Sequence, residues 1–131
     1  MFDKLCLVVD DAEDIRDPFV RFLTRRGFTR VLGAGSAGQA LETIEKQKPD
    51  LILLDIQLEG DIDGLEILKR TKAGLSPHSH VVMISGHREL YEEKCKKLGA
   101  LDFWTKPMDP YKIVDRIKAL FPAEEHKTSL S

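Results

Sequence analysis

Five short, mostly apolar runs, each followed by a stretch with helical spacing, leave this chain few folds to choose from. Leu5–Val9, Thr29–Leu32, Leu51–Leu54, Val81–Ile84 and Leu101–Trp104 are too short for buried helices and read as strands. Between and after them, apolar residues return every three or four positions. Ile15, Phe19, Phe22 and Leu23 form the first such face, then Ala37, Ala40, Leu41 and Ile44, then Leu65 and Leu68. Tyr91, Cys95 and Leu98 make a fourth helix, and Ile113, Val114, Ile117, Leu120 and Phe121 a fifth. Strands that lack polar alternation must be covered on both faces, which crossover helices achieve when the strands are parallel. Right-handed crossovers then give an α/β fold with a doubly wound, five-stranded parallel sheet.

Local signals agree with this. Ser36 and Gln39 form a capping-box pair, while Asp109 and Pro110 suit an N-cap and a first helical residue. Pro18 lacks a backbone donor, so the first helix is expected to start late or to kink.

Ligands of doubly wound sheets bind beyond the carboxyl ends of the strands. Asp10 and Asp11 follow the first run, Asp55 the third, Ser85 the fourth, and Lys106 the fifth, just before Pro107. Three carboxylates drawn together stay ionised only if a cation neutralises them or one takes up a proton. Magnesium binds such oxygen sites and keeps several of its waters. A lysine and a hydroxyl aimed at the same point offer donors to an incoming anion. This set of groups suits phosphoryl transfer, which needs in-line positioning and charge neutralisation. Asp55 can serve as the nucleophile and become an aspartyl phosphate.

VVDDAED, LILLD, VVMISGH and DFWTKP resemble, in that order, the four motifs of two-component response-regulator receiver domains. The resemblance covers about residues 4–121. It implies the flavodoxin-like (βα)5 receiver fold with strand order 2-1-3-4-5. Asp55 would be the phosphoacceptor. Asp11 would bind Mg2+ directly, Asp10 mainly through water, and the backbone carbonyl of Gln57 would complete the protein ligands alongside Asp55. Ser85 and Lys106 would hold phosphoryl oxygens, and the Lys106–Pro107 bond would be cis. Ser85 and Phe103 would form the switch: Ser85 moves toward the phosphoryl group and Phe103 turns inward. The surface of the fourth helix, fifth strand and fifth helix then changes for a downstream protein. Gln57 and His87 match positions that tune phosphoryl lifetime. The expected partner is a histidine kinase or phosphotransfer protein. The expected chain is cytoplasmic, a monomer or a weak phosphorylation-dependent dimer, and turns over no external metabolite; its chemistry is limited to its own phosphorylation and dephosphorylation.

The chain departs from the family pattern after Asp55. The loop reads DIQLEGDIDG, with Glu59 where proline is common and Gly64 nine residues on rather than eight. Asp61 and Asp63 are expected to be solvated charges. His78 and His80 form a loop pair with no evident third ligand, and Trp104 is expected in the core. Lys94, Lys96 and Lys97 read as a solvated helical face.

Length and composition exclude several classes. A chain of 131 residues fits one domain with its own core. A net charge of -2 argues against an electrostatic nucleic-acid binder. No apolar run approaches the ~18 residues of a membrane span, and the acidic start is unlike a signal peptide. Cys6 and Cys95 lie in apolar patterns and read as reduced, buried thiols. A metal-dependent phosphatase with an aspartate nucleophile typically needs a second aspartate two residues on, where this chain has Gln57. A flavodoxin-like cofactor site would need a Gly/Ser/Thr-rich phosphate loop where DDAED stands. The receiver domain is expected over 1–121, and PAEEHKTSLS over 122–131 as a disordered tail, too short for a DNA-binding helix-turn-helix. A stand-alone receiver and one cut from a larger regulator or hybrid kinase remain open.

Overall fold

The computed structural model describes residues 2–122; apart from Pro122, the tail expected to be disordered lies outside the described residues. Strands β1 (Cys6–Val9), β2 (Val31–Ala34), β3 (Leu51–Asp55), β4 (His80–Ser85) and β5 (Asp102–Thr105) alternate with helices α1 (Glu13–Arg25), α2 (Ala37–Gln47), α3 (Gly64–Arg70), α4 (Arg88–Lys97) and α5 (Pro110–Leu120). The strands form one parallel sheet in the order β2-β1-β3-β4-β5, as expected. Two cores lie on opposite faces. Leu7, Val9, Ile52, Leu54 and Met83 meet α2, α3 and α4. Cys6, Val8, Leu51, Leu53 and Trp104 meet α1 and α5. The period-two alternation of each strand thus feeds both cores.

Two expectations need correction. Helix α1 runs unbroken from Glu13 through Pro18, so it does not start late. Strand β2 lies two residues further along than Thr29–Leu32, over a Gly-Ala sequence with little strand propensity of its own. Its register against β1, Cys6 opposite Val31 and Val9 opposite Ala34, carries it there. The caps follow the sequence: Ser36 Oγ accepts from Gln39 N–H at 3.1 Å and Asp109 Oδ1 from Tyr111 N–H at 2.9 Å. Asp63, read as a solvated charge, caps α3 by accepting from Glu66 N–H at 3.0 Å. Helix α3 widens into a π-helical turn over Thr71–Leu75.

Cys6 and Cys95 are free thiols inside the two cores. Burial pushes Cys6 up to about 12 and Cys95 up to about 11, the latter against the pull of Lys94. An exposed thiol titrates near about 8.5. The folded state therefore keeps protons that the unfolded chain releases. This contribution is fully present below the unfolded value and is lost as pH rises toward the folded ones. Thermal melts should show the wild type losing stability between about pH 8.5 and 11, and a Cys6→Val, Cys95→Ala double variant losing less of it. Parallel pH profiles for the two proteins would contradict this.

Candidate phosphoacceptor site

The acidic and basic residues at the strand ends converge as the sheet order requires. Strand β3 lies between β1 and β4, so Asp55 stands beside Asp10 on one side and Ser85 on the other. Strand β5 pairs with β4 through Ser85 opposite Thr105, and Lys106 N–H donates to Ser85 C=O at 3.0 Å. Lys106 Nζ then reaches across to Asp55 Oδ2 at 2.6 Å and lies 3.7 Å from Asp10 Oδ2. Asp55 is 6% exposed and Asp10 8% exposed, whereas the Lys106 side chain is 36% exposed. The Lys106–Pro107 bond is cis.

The site is short of positive charge. Burial, with the Asp10 charge adding to it, holds Asp55 above the usual carboxylate range, although Lys106 and the Gln57 N–H work to lower it. Burial opposes the charge on Lys106, but its hydrogen bond and ion pair with Asp55, together with Asp10, raise its pKa. One half-open ammonium thus leaves the buried carboxylates only partly neutralised.

Backbone donors orient the carboxylates. Asp10 Oδ1 accepts from Ala12 N–H at 2.9 Å and Asp55 Oδ1 from Gln57 N–H at 3.1 Å. Asp11 Oδ2 accepts from Glu59 N–H at 2.8 Å, which ties it to the loop after β3. Among the described residues no three His, Cys, Asp or Glu side chains are grouped as a ready metal cage. The donor set nonetheless fits magnesium in kind: Asp10 and Asp55 are buried carboxylates that share one ammonium, and the ion needs only one or two carboxylates beside its waters. Asp11 can ligate through Oδ1 while Oδ2 keeps the Glu59 N–H.

Ser85 is buried, and its Oγ accepts from His87 N–H at 3.1 Å. Phe103, the second residue of the expected switch, faces inward. The ring is 1% exposed and packed in the α2–α3–α4 core. Its register opposite Met83 faces it that way. Arg88, which the sequence reading passed over, lies over the ring. Its Nε donates to Thr105 Oγ1 at 2.8 Å, Nη2 to Phe103 C=O at 3.1 Å, and its guanidinium lies 5.7 Å from the ring centroid. A basic residue at the start of α4, fifteen positions before Phe103, gives no signal until strand order is known.

Trp104 and the α4 lysines stand as expected, whereas His80, expected in a loop, opens β4. Trp104 is in the core, with Nε1 donating to Asp102 Oδ2 at 3.0 Å. Lys96 and Lys97 pair with Glu92 and Glu93 along the exposed face of α4. The His80 ring lies 5.6 Å from that of Phe121.

The model of the response regulator receiver domain matches residues 6–118. The chain is 34% identical over 127 residues to sporulation initiation phosphotransferase F of Bacillus subtilis, covering 96% of this chain and all of that protein. It is 30% identical, with a TM-score of 0.83, to a CheY-like receiver domain from Methanospirillum hungatei, covering 95% and 98% of the two chains. A Burkholderia pseudomallei response regulator, solved with a phosphorylated aspartic acid and a calcium ion, is 26% identical at a TM-score of 0.79, covering 98% of this chain and 74% of that one. The chain spans 23% to 52% of the length of several other relatives. The chain belongs to the response regulator receiver domain family. It is a phosphorylation-operated signalling domain of the two-component type, and such domains accept phosphoryl groups rather than turn over metabolites. Among the described residues no helix is long and apolar enough to cross a membrane.

Proposed function

We propose that Asp55 is the phosphoacceptor of this domain and that Asp10, Asp11 and the Gln57 carbonyl hold Mg2+ beside it. The observation that carries this reading is the buried Asp55 carboxylate, held at 2.6 Å by Lys106 yet left above the usual carboxylate range. A bound divalent ion supplies the missing positive charge and orients the oxygens of the incoming phosphoryl group. An Asp55 oxygen attacks phosphorus as the bond to the donor's histidine nitrogen, or to acetate in acetyl phosphate, breaks. Lys106 then exchanges the carboxylate for a phosphoryl oxygen, and Ser85 Oγ turns from His87 N–H to another. Hydrolysis by water, with Gln57 and His87 at the rim, returns the domain to rest.

The output runs through Ser85 and the surface of α4, β5 and α5. The change begins with loss of the Ser85–His87 bond at the start of α4 and is carried on to Phe103. The phosphodonor is a histidine kinase or phosphotransfer protein. A groove of about 720 Å3 beside Lys106, lined by Ile15, Phe19, Phe22, Met108 and Ile113, is apolar enough for such a protein to cover. The signalling unit is 1–121, cytoplasmic, without direct nucleic-acid binding, and a monomer or weak phosphorylation-dependent dimer. A second reading, a receiver that belongs to a larger regulator or hybrid kinase, is favoured by the relatives of which this chain spans only a part.

Intact-mass analysis after incubation with acetyl phosphate tests the reading: one phosphoryl adduct is expected, and only with magnesium. Asp11→Ala should weaken magnesium binding by at least about tenfold, the lower bound for loss of a mere supporting partner. An unchanged affinity by calorimetric titration would remove Asp11 from the ligand set.

A further inference from the structure

The peptide between Asp10 and Asp11 joins the two acidic residues, and its carbonyl lies just past the end of β1. Arg16, one turn into α1, donates from Nη1 to that carbonyl at 3.0 Å. Its Nε is held by Asp17 Oδ1 at 3.1 Å, and the side chain is only 16% exposed. To reach Asp10 it crosses the end of β2, where Gly33 and Gly35 stand. A Cβ built on Gly35 would fall 2.4 Å from Arg16 Nη1, and one on Gly33 would fall 3.3 Å from Cδ. Neither glycine has the positive φ that would call for glycine on backbone grounds. The space beside β2 is therefore filled by the arginine. Arg16 also lines the small cavity that holds Asp10, Asp55 and Lys106.

We propose that Arg16 is a positioning residue of the phosphoacceptor site: its guanidinium fixes the Asp10–Asp11 peptide, and the missing side chain at Gly35 gives it passage. This rests on the reading of Asp10 and Asp11 as magnesium ligands. The Asp10 carboxylate accepts from Ala12 N–H and the Asp10 N–H donates to Ala34 C=O at 3.1 Å. With the carbonyl held by Arg16, every polar group of Asp10 but one carboxylate oxygen is tied. That oxygen is the one facing Lys106. Without Arg16 the peptide carbonyl loses its partner, and the two carboxylates are held less firmly.

The test is calorimetric magnesium titration, with thermal melts with and without magnesium, on wild type, Arg16→Ala, Gly35→Ala and the double variant. Arg16→Ala should weaken magnesium binding roughly tenfold, as loss of a partner that orients a ligand does. The rise in Tm on adding magnesium should shrink with it, whereas a merely structural role would lower both melts equally and leave that rise intact. Gly35→Ala should weaken binding in the wild type and do nothing further in Arg16→Ala, because the atom it collides with is gone. Should Arg16→Ala not fold, Gly35→Ala alone makes the comparison, since it displaces the guanidinium with one methyl group. Wild-type magnesium affinity in either single variant, or an equal effect of Gly35→Ala in both backgrounds, overturns the role of Arg16. A wild-type chain that binds no magnesium overturns the reading of the site, and this role with it.

Discussion

Gly64→Ala should unfold or severely destabilise the domain. A Cβ on Gly64 would lie 2.2 Å from the Asp55 carbonyl oxygen and 2.7 Å from Ile56 Cα. Both are backbone atoms in the middle of the sheet's carboxyl edge, and neither belongs to a side chain that can swing aside. Gly64 N–H donates to Ile56 C=O at 2.8 Å, so the close approach is itself a bonded contact that opens α3 against the end of β3. Overpacking in a tight interior costs typically ~1–3 kcal/mol, and a collision with backbone belongs at or above the top of that range. A loss of about 3 kcal/mol is a large part of a total of ~5–15 kcal/mol. Urea unfolding should show this loss, with the midpoint lowered and the slope unchanged. Any folded fraction should carry a displaced Asp55–Gln57 segment and bind magnesium poorly. A variant with wild-type stability would mean that α3 does not enter against Asp55 as described.

The same position shows what the chain's sequence reveals and what it conceals. Gly64 stands out in DIQLEGDIDG as a glycine one place late for the family pattern. The sequence cannot say that Asp55's own carbonyl is what leaves no room for a side chain. Asp55, Lys106, Ser85 and Asp10 were legible because each ends an apolar run, and strand ends of one parallel sheet meet at one edge. Their order along the sheet follows from the family resemblance. Asp63 looked like a loop charge because a capping aspartate is recognisable only when the helix start is placed, and α3 is short. Strand β2 was placed two residues early because Gly33 and Ala34 carry no strand signal; ladder pairing with β1 and the passage of Arg16 occupy that segment. Nothing in the sequence shows where the Phe103 ring lies. Its inward position follows from its register opposite Met83, and Arg88, which bonds its carbonyl, is fifteen residues away, so nothing in either residue's neighbourhood announces the pairing.

Asp55→Asn should abolish phosphorylation outright. The amide keeps the shape of the side chain and can still accept from Gln57 N–H, so the fold should survive. What disappears is the anionic nucleophile. A neutral amide oxygen is a poor attacker on phosphorus, and its loss also removes one of the charges that recruits the metal. Asp10 and Asp11 stay in place, so the variant distinguishes Asp55 from its neighbours as the attacking group. Lys106 loses its 2.6 Å ion-pair partner and turns toward Asp10, leaving the rest of the site intact.

Intact-mass and peptide mapping after treatment with acetyl phosphate and magnesium is the most direct measurement. The wild type should gain a single acid-stable, base-labile phosphoryl group on the peptide that contains Asp55, and should gain none when magnesium is chelated. Asp55→Asn, folded by circular dichroism, should gain none under either condition. An adduct that persists in the Asn variant, or maps to Asp10 or Asp11, would contradict the assignment of Asp55 as the phosphoacceptor.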